Sequence, residues 1–179
     1  MISIALLHHP VYNKKGDTVV TSITGMDLHD IARSALTYGI SKYYVVNPAK
    51  AQLEFAGRII NCWKSEESFV HNWTRAEALA LIELKEDLEQ VLAECPGAKV
   101  IVTSAKKTDN SVGFQTLRKK IKESSDDFLI VFGTGWGLSD EVIKKADYIL
   151  EPVNGPGEYN HLSVRSAAAI ILDRLFGGR

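Results

Sequence analysis

The pattern of hydrophobic and polar residues divides the chain into two kinds of segment, continuous apolar runs and amphipathic stretches. Continuous apolar runs predict buried β-strands of a sheet that is covered on both faces, because such strands show no polar alternation. Five runs of this kind occur, at Ile2–Leu7, Tyr43–Val46, Lys99–Thr103, Phe128–Phe132 and Tyr148–Val153. Amphipathic stretches lie between and after them. This order predicts an α/β fold with a mostly parallel sheet flanked by helices.

The helices are predicted from the spacing of apolar residues. The first begins near Asp27 and ends at Gly39, a residue suited to a left-handed helix cap. Ala76–Glu94 is read as one long helix with an acidic exposed face, and Val112–Lys122 as another helix. The last helix has one apolar face, formed by Val164, Ala168, Ile171 and Leu175. Residues 54–75 have no clear pattern.

Composition adds limits to this picture. A chain of 179 residues with 45% hydrophobic residues predicts a single domain over 1–179 with a sizeable core. The net charge of −1 excludes a global positive field, so any nucleic-acid site must be a local patch. The sequence contains neither a signal peptide nor an apolar run long enough to span a membrane, which favours a cytoplasmic protein.

Cysteine and histidine spacing argues against two further kinds of site. Cys62 and Cys95 stand far apart without a CxxC motif, so we expect free thiols in a reducing compartment. The five histidines show no ligand spacing such as HExxH, and we therefore expect no metal site.

The most informative local feature is the segment FLIVFGTGWGL, Phe128–Leu138. A buried strand ends in Gly133, Gly135 and Gly137, and a helix is predicted to start near Ser139. Glycines at the carboxyl end of a strand let the backbone approach a ligand and present its N–H groups, and ligands of open α/β sheets bind at that edge. A tight turn without a ligand is the alternative. The spacing is not GxGxxG, which argues against a standard dinucleotide site.

A second feature follows at EPVNGPGEYNHLSVRSAAA, Glu151–Ala169. A strand ends here, a glycine-proline turn follows, and either Asn160 or Ser163 can cap the last helix. Because both segments follow parallel strands, they are expected at the same sheet edge, where Trp136 and Tyr159 would form aromatic walls. The alternative for Trp136 is a buried packing residue.

These two motifs, in this order near the C-terminus, resemble those of the SPOUT methyltransferases, and most closely the small stand-alone bacterial RNA methyltransferase-like group. The segment DLHDIARSALTYG, Asp27–Gly39, also resembles the first motif of the ribose-methylating branch, with Arg33-Ser34 as its arginine and small residue. That branch usually has asparagine at the position of Asp27. The resemblance covers nearly the whole chain.

The resemblance implies a C-terminal trefoil knot, an S-adenosylmethionine cofactor, a tRNA or rRNA substrate methylated on a base or a ribose, and a homodimer. It implies that the cofactor is held by three loops of the knot. These loops supply Thr103, Ser104, Ala105, Phe132, Gly133, Thr134, Gly135, Trp136, Gly137, Leu138, Leu150, Glu151, Pro152, Gly155, Tyr159, Asn160, His161, Leu162 and Ser163.

The catalytic candidates are Arg33, Glu151 and His161. By resemblance, the Arg33 guanidinium would orient a phosphate or stabilise a developing oxyanion; the alternative is a helix-surface ion pair with Asp27 or Asp30. Glu151 and His161 lie beside the cofactor loops, and the alternative for each is a structural role. His9 and Tyr12 follow the first strand at the same edge as substrate candidates or surface residues.

Other classes of function remain compatible with the sequence. They are a non-catalytic cofactor-binding or RNA-binding protein with the knot fold, and a Rossmann-like enzyme for another nucleotide. RNA is expected to bind through a local basic patch. The candidates are Lys14, Lys15, Lys106, Lys107, Arg118, Lys119, Lys120 and Lys122.

Overall fold

A computed structural model describes residues 1–64 and 66–178, and the side chains of all of these except 66–69. One sheet of seven strands has the order β5-β4-β1-β8-β6-β9-β7, and β2 and β3 form a separate hairpin. The strands are β1 Ile2–Leu7, β2 Val11–Tyr12, β3 Thr18–Val19, β4 Lys42–Val46, β5 Ile82–Lys85, β6 Lys99–Thr103, β7 Ser111–Val112, β8 Phe128–Gly133 and β9 Tyr148–Leu150. The helices are α1 Gly25–Thr37, α2 Lys50–Trp63, α3 Glu66–Ala80, α4 Leu88–Glu94, α5 Phe114–Glu123, α6 Asp140–Ile143 and α7 Val164–Phe176.

Every strand pair of the large sheet is parallel, as the continuous apolar runs predict. Strand β1 lies in the middle, with Ile4 aligned to Tyr43 on one side and to Ile130 on the other. Two buried clusters cover the two faces of the sheet. One contains side chains of α1, α2, α3, α5 and α7, and the other contains side chains of α4 and α6.

The order of the last strands brings three loops together. Strand β9 pairs with β6 on one side and with β7 on the other, so it lies between two strands that are consecutive in the sequence. Since β6, β8 and β9 are parallel, their carboxyl ends share one edge of the sheet. The predicted trefoil knot stays a prediction, as does the single domain over 1–179, of which residues 65 and 179 lie outside the described part.

The predicted helix boundaries are confirmed for α1 and α7. Thr24 caps α1 by accepting the Asp27 N–H at 3.1 Å, and Gly39 follows the helix with a φ of +72°. Ser163 caps α7, because its hydroxyl accepts the Ser166 N–H at 3.2 Å. Asn160, the other predicted cap, binds elsewhere.

The prediction of one helix over Ala76–Glu94 is wrong. The chain leaves α3 at Ala80, forms the edge strand β5, and re-enters a helix after Asp87, whose carboxylate accepts the Gln90 N–H at 2.8 Å. Pairing of β5 with β4 overrides the helix propensity of these residues. The alternation of Ile82 and Leu84 with polar residues was the strand signal in this segment.

The fifth predicted strand is shorter than Tyr148–Val153, because β9 ends at Leu150 and the residues after it form an irregular loop. Cys62 is exposed and Cys95 is buried. Within the described ranges, the longest apolar helices fall short of what a membrane crossing requires.

Candidate functional site

Three loops meet at the carboxyl edge of the sheet: residues 104–110 after β6, residues 134–139 after β8, and residues 151–163 after β9. The Asn160 amide donates to the Ala105 carbonyl oxygen at 2.9 Å, joining the third loop to the first. The rings of Trp136 and His161 meet edge to face with centroids 6.2 Å apart, joining the second loop to the third. The predicted convergence of these segments therefore occurs.

The glycine loop after β8 is held by the N-terminal hairpin. The Trp136 N–H donates to the Tyr12 carbonyl oxygen, and the Tyr12 N–H donates to the Gly137 carbonyl oxygen, both at 2.8 Å. Gly135 has a φ of +59°, and a Cβ atom on it would lie 2.8 Å from the Tyr12 oxygen. The close approach expected at Gly135 is thus made by the protein's own backbone rather than by a ligand. Gly133 is enclosed in the same way by Leu138.

Open space lies over three other glycines of these loops. A Cβ atom on Gly137, which has a φ of +107°, would meet no heavy atom within 4 Å, and the same holds at Gly155 and Gly157. Exposed backbone of this kind offers N–H and carbonyl groups to a ligand. The loops therefore leave backbone accessible to a ligand at these three glycines.

Three aromatic side chains stand over this edge. Trp136 is 56% exposed and Tyr159 is 81% exposed, while His161 contacts both rings. The Tyr159 and His161 centroids are 5.4 Å apart. The alternative of Trp136 as a buried packing residue is therefore wrong.

The carboxylate of Glu151 already has a structural partner. It accepts the Phe114 N–H at 2.8 Å, at the first turn of α5, where helix N–H groups lack partners within the helix. A shallow groove beside it is lined by Gly113, Phe114, Gln115, Thr116, Arg118, Glu151 and Arg174. A catalytic role for Glu151 stays a prediction, and so does one for His161.

Arg33 lies on the exposed side of α1, in a groove between α1 and α7. It stands eight residues after Gly25, roughly 12 Å along the helix axis from the end that faces the loops. Its expected surface partners, Asp27 and Asp30, instead pair with Arg165 at 3.6 and 3.7 Å. Any contribution of Arg33 to the chemistry stays a prediction.

Arg165 was missed from the sequence, although it lies within the motif that carries the resemblance. Arg165 is the second residue of α7, and its ion pair with the buried Asp27 near the start of α1 links the two helices. Thr24 also donates to the Asp27 carboxylate, at 2.7 Å. The pair Asp27 and Asp30, three residues apart on one helix face, was the available signal.

His8 was also missed. It is fully buried at the end of β1, its Nδ1 lies 3.0 Å from the Thr21 hydroxyl, and Thr21 in turn bonds to the Thr134 hydroxyl of the glycine loop. Its buried Nε2 atom has no hydrogen-bond partner among the described residues. Burial lowers the pKa of His8 to about 4, against the opposing charge of Asp27, so the ring is neutral near pH 7.

The remaining residues predicted to bind the cofactor differ in their contacts and exposure. Thr103 donates to the Val131 carbonyl oxygen at 3.1 Å and the Ser104 hydroxyl accepts the Lys106 N–H at 3.0 Å, so both organise the first loop. Several others are buried and can offer a ligand little more than backbone; these are Phe132, Leu138, Leu150 and Pro152. Leu162 is 46% exposed. Over the described residues, no cluster of three or more His, Cys, Asp or Glu side chains could hold a metal ion.

Comparison with known proteins gives the family. A model of the SAM-dependent RNA methyltransferase family matches residues 1–177. An uncharacterized protein of Aquifex aeolicus is 47% identical over 98% of this chain and 88% of its own length. A tRNA (guanine-N(1)-)-methyltransferase of Oleidesulfovibrio alaskensis is 37% identical over 97% of this chain, which spans 41% of that relative's length.

Two solved structures share the fold. TrmJ of Z. mobilis superposes with a TM-score of 0.68 over 100% of this chain and 70% of its own, at 17% identity. The TrmH/SpoU tRNA modifying enzyme of A. aeolicus gives a TM-score of 0.59 over 97% of this chain and 72% of its own, also at 17% identity. The sheet and its flanking helices are thus those of the SPOUT class. Because the family model covers nearly the whole length, the chain belongs to the SAM-dependent RNA methyltransferase family, whose cofactor is S-adenosylmethionine and whose reaction is methyl transfer to RNA.

Proposed function

We propose that this chain binds S-adenosylmethionine in the three loops at the carboxyl edge of the sheet and transfers its methyl group to a nucleotide of tRNA. The observation that supports this site is the convergence of the loops after β6, β8 and β9, joined by the contact of Asn160 with Ala105 and that of Trp136 with His161. Open space over Gly137, Gly155 and Gly157 supports binding through the backbone.

tRNA is proposed ahead of rRNA because relatives at 37% and 39% identity are named tRNA methyltransferases. The chain spans 41% of each of those relatives, so the guanine-N(1) specificity in their name belongs to the longer proteins. The proposal therefore covers methylation of a base or of a ribose, and the assay below identifies the atom.

The bound cofactor supplies a methyl group that is already activated by its sulfonium centre. The protein's own part is to hold the target nucleotide in line with that group and to exclude water, which is catalysis by proximity and orientation. The loop backbone would hold the cofactor, while Glu151 keeps α5 in place through the Phe114 N–H. A proton acceptor is required only where a hydroxyl or a protonated ring nitrogen is methylated.

The active form is proposed to be a homodimer in the cytoplasm that pairs through α1 and α7. Support comes from the groove of about 370 Å³ between these helices, lined by Asp30, Arg33, Ser34, Thr37, Tyr38 and Ala169, and from Met26, which is 60% exposed on α1. In such a pair, Arg33 would act on the partner's site rather than on its own. Light scattering at micromolar concentration should give twice the monomer mass.

The C-terminal knot is part of the same proposal. Its support is the position of β9 between β6 and β7, two strands that are consecutive in the sequence. Knots are rare enough that this strand order, rather than the sequence pattern, is the argument.

The test is methyl transfer from labelled S-adenosylmethionine into tRNA and into rRNA, each purified from a strain that lacks the protein. Digestion of the product to nucleosides and mass spectrometry then identify the methylated atom. We expect label in tRNA and in one nucleoside. A folded, cofactor-bound protein that labels no RNA would contradict the proposed activity and favour a non-catalytic binding protein.

A further inference from the structure

We infer that Trp136, Tyr159 and His161, called here the aromatic cluster, receive an unstacked base of the RNA, with the lysine pairs Lys14-Lys15 and Lys106-Lys107 holding phosphates on either side. This inference rests on the proposed function, since it concerns how the same site takes hold of RNA. It assigns the substrate surface to the loops rather than to a helix face.

The aromatic cluster is exposed. Its rings contact one another edge to face, and Trp136 and Tyr159 keep 56% and 81% of their surface in water. The Trp136 N–H binds Tyr12, and the side-chain amide of Asn160, between Tyr159 and His161, binds both Ala105 and Asn154. Adjacent exposed aromatic side chains indicate a binding surface.

Each lysine pair lies close in the chain to a residue that is hydrogen-bonded to the loops of the aromatic cluster. Tyr12, which accepts from Trp136, is two residues from Lys14-Lys15, whose turn is closed by the Asn13 amide oxygen accepting the Lys15 N–H at 2.8 Å. Ala105, which accepts from Asn160, directly precedes Lys106-Lys107. All four lysines are exposed. Exposed acids also lie near the lysine pairs and the cluster, namely Asp17, Asp109 and Glu158, so the positive charge is local to the four lysines.

Two of the basic residues of α5, Arg118 and Lys120, contact other parts of the protein. Arg118 donates to the carbonyl oxygens of Arg174 and Gly177, and Lys120 lies 5.7 Å from the ring centroid of Tyr148. Tyr148 begins β9, so Lys120 stands at the end of that strand opposite the loops. Lys119 lies 3.9 Å from Glu123, an acid on its own helix. Of the sequence-predicted basic residues, those in the loops are therefore the better RNA candidates.

The chemistry of the cluster favours an RNA base over the cofactor's adenine. Pockets for small ligands bury about 70–90% of the ligand surface, whereas Tyr159 keeps 81% of its surface exposed. A base that receives a methyl group must leave its helical stack, and an unstacked base of any identity can stack on an aromatic side chain. The exposed lysines of the neighbouring loops would then hold the phosphates of the strand.

The test compares four variants with the wild type: Trp136→Ala/Tyr159→Ala, the aromatic control Trp136→Phe/Tyr159→Phe, Lys14→Ala/Lys106→Ala in the loops, and the helix control Lys119→Ala/Lys120→Ala. Each is assayed for binding of total tRNA, for binding of S-adenosylhomocysteine, for oligomeric state and for methyl transfer. Circular dichroism checks folding, and Tyr159→Ala alone serves where the double variant is unstable.

We expect the alanine pair at Trp136 and Tyr159 to weaken tRNA binding about tenfold or more, the loss typical of one stacked base. Its affinity for S-adenosylhomocysteine should stay within twofold, and the phenylalanine pair should retain tRNA binding. Loss of the loop lysines should flatten the dependence of tRNA affinity on salt, because fewer counterions are released. Loss of the helix lysines should leave that dependence unchanged.

Three results would overturn the inference while the proposed function stands: unchanged tRNA affinity in the alanine pair, loss of S-adenosylhomocysteine binding in that pair, or loss of the dimer. The second would make the aromatic cluster a wall of the cofactor site, and the third a subunit interface. A wild-type protein that neither binds nor methylates tRNA or rRNA would instead remove the proposed function, and this inference with it.

Discussion

Two loops that share the carboxyl edge of the sheet are built in different ways. The glycine loop, residues 134–139, is bound to its surroundings by backbone hydrogen bonds of Thr134 to Leu7 and of Trp136 to Tyr12. The long loop, residues 151–163, is mostly exposed, and the Asn160 amide and the ring of His161 connect it to the neighbouring loops. We interpret the glycine loop as the preformed part of the site and the long loop as the part that adjusts to its ligands.

The largest expected effect is at Gly135. Replacing it with valine would place a β-branched side chain at a φ of +59° with its Cβ 2.8 Å from the Tyr12 carbonyl oxygen, so the hairpin and the loop must separate. We expect a loss of about 3 kcal/mol or more in the free energy of unfolding. Chemical denaturation measures it.

Gly155→Ala is the matched control for that change, because Gly155 has no heavy atom within 4 Å of an added Cβ and does not have a positive φ. Its free energy of unfolding should stay within about 0.5 kcal/mol of the wild type. Equal stability of the two variants would show that the two loops do not differ as described.

The second effect concerns His8, which is connected to Thr134 of the glycine loop through the Thr21 hydroxyl. The folded state holds the pKa of this ring near 4, below the value of 6.5 for an unperturbed histidine, so the unfolded chain binds more protons between these two pH values. Stability should therefore be full above pH 6.5 and should fall as the pH drops toward 4, by up to about 1.4 kcal/mol per pH unit for this group.

The variant His8→Gln isolates this contribution, since the carboxylates and His29 titrate in both proteins. Denaturant unfolding at several pH values should give a steeper decline between pH 6.5 and 4 for the wild type than for the variant. Parallel curves would mean that His8 is not buried in its neutral form beside Thr21 and would weaken the account of a fastened loop.

The smallest expected effect belongs to the long loop. Asn160→Ala removes the bond to Ala105 from a partly exposed position, so we expect little change in melting temperature but a three- to tenfold weaker affinity for S-adenosylhomocysteine, about the contribution of one hydrogen bond. Calorimetry measures the affinity. Asn154→Ala removes a single 3.2 Å contact with Asn160 and should change the affinity less.

The sequence predicted the parts of the molecule that local pattern determines. The apolar runs located β1, β4, β6 and β8 closely, the start of α1 was placed near Asp27 and its end at Gly39, and Ser163 was one of two predicted caps of α7. It failed at Ala76–Glu94, where pairing with β4 decides between strand and helix. Propensity carries little information on such an edge strand.

The candidate site was predicted in its location but not in its internal contacts. Motif order was enough to bring Trp136 and His161 to one sheet edge, because parallel strands share that edge. The sequence pattern alone could not reveal that the Tyr12 carbonyl oxygen occupies the space next to Gly135, since the two residues are more than a hundred positions apart in the chain. The ion pair of Arg165 with Asp27 was hidden for the same reason.

Hydrogen–deuterium exchange with and without S-adenosylhomocysteine tests the central claim most directly, because it locates the cofactor on the chain. The account predicts new protection in residues 104–110, 134–139 and 151–163, with the largest change in the long loop. Exchange in β1, next to the glycine loop, should change little. Binding that leaves these three loops unchanged, or that protects the groove between α1 and α7 instead, would contradict the assignment of the cofactor site.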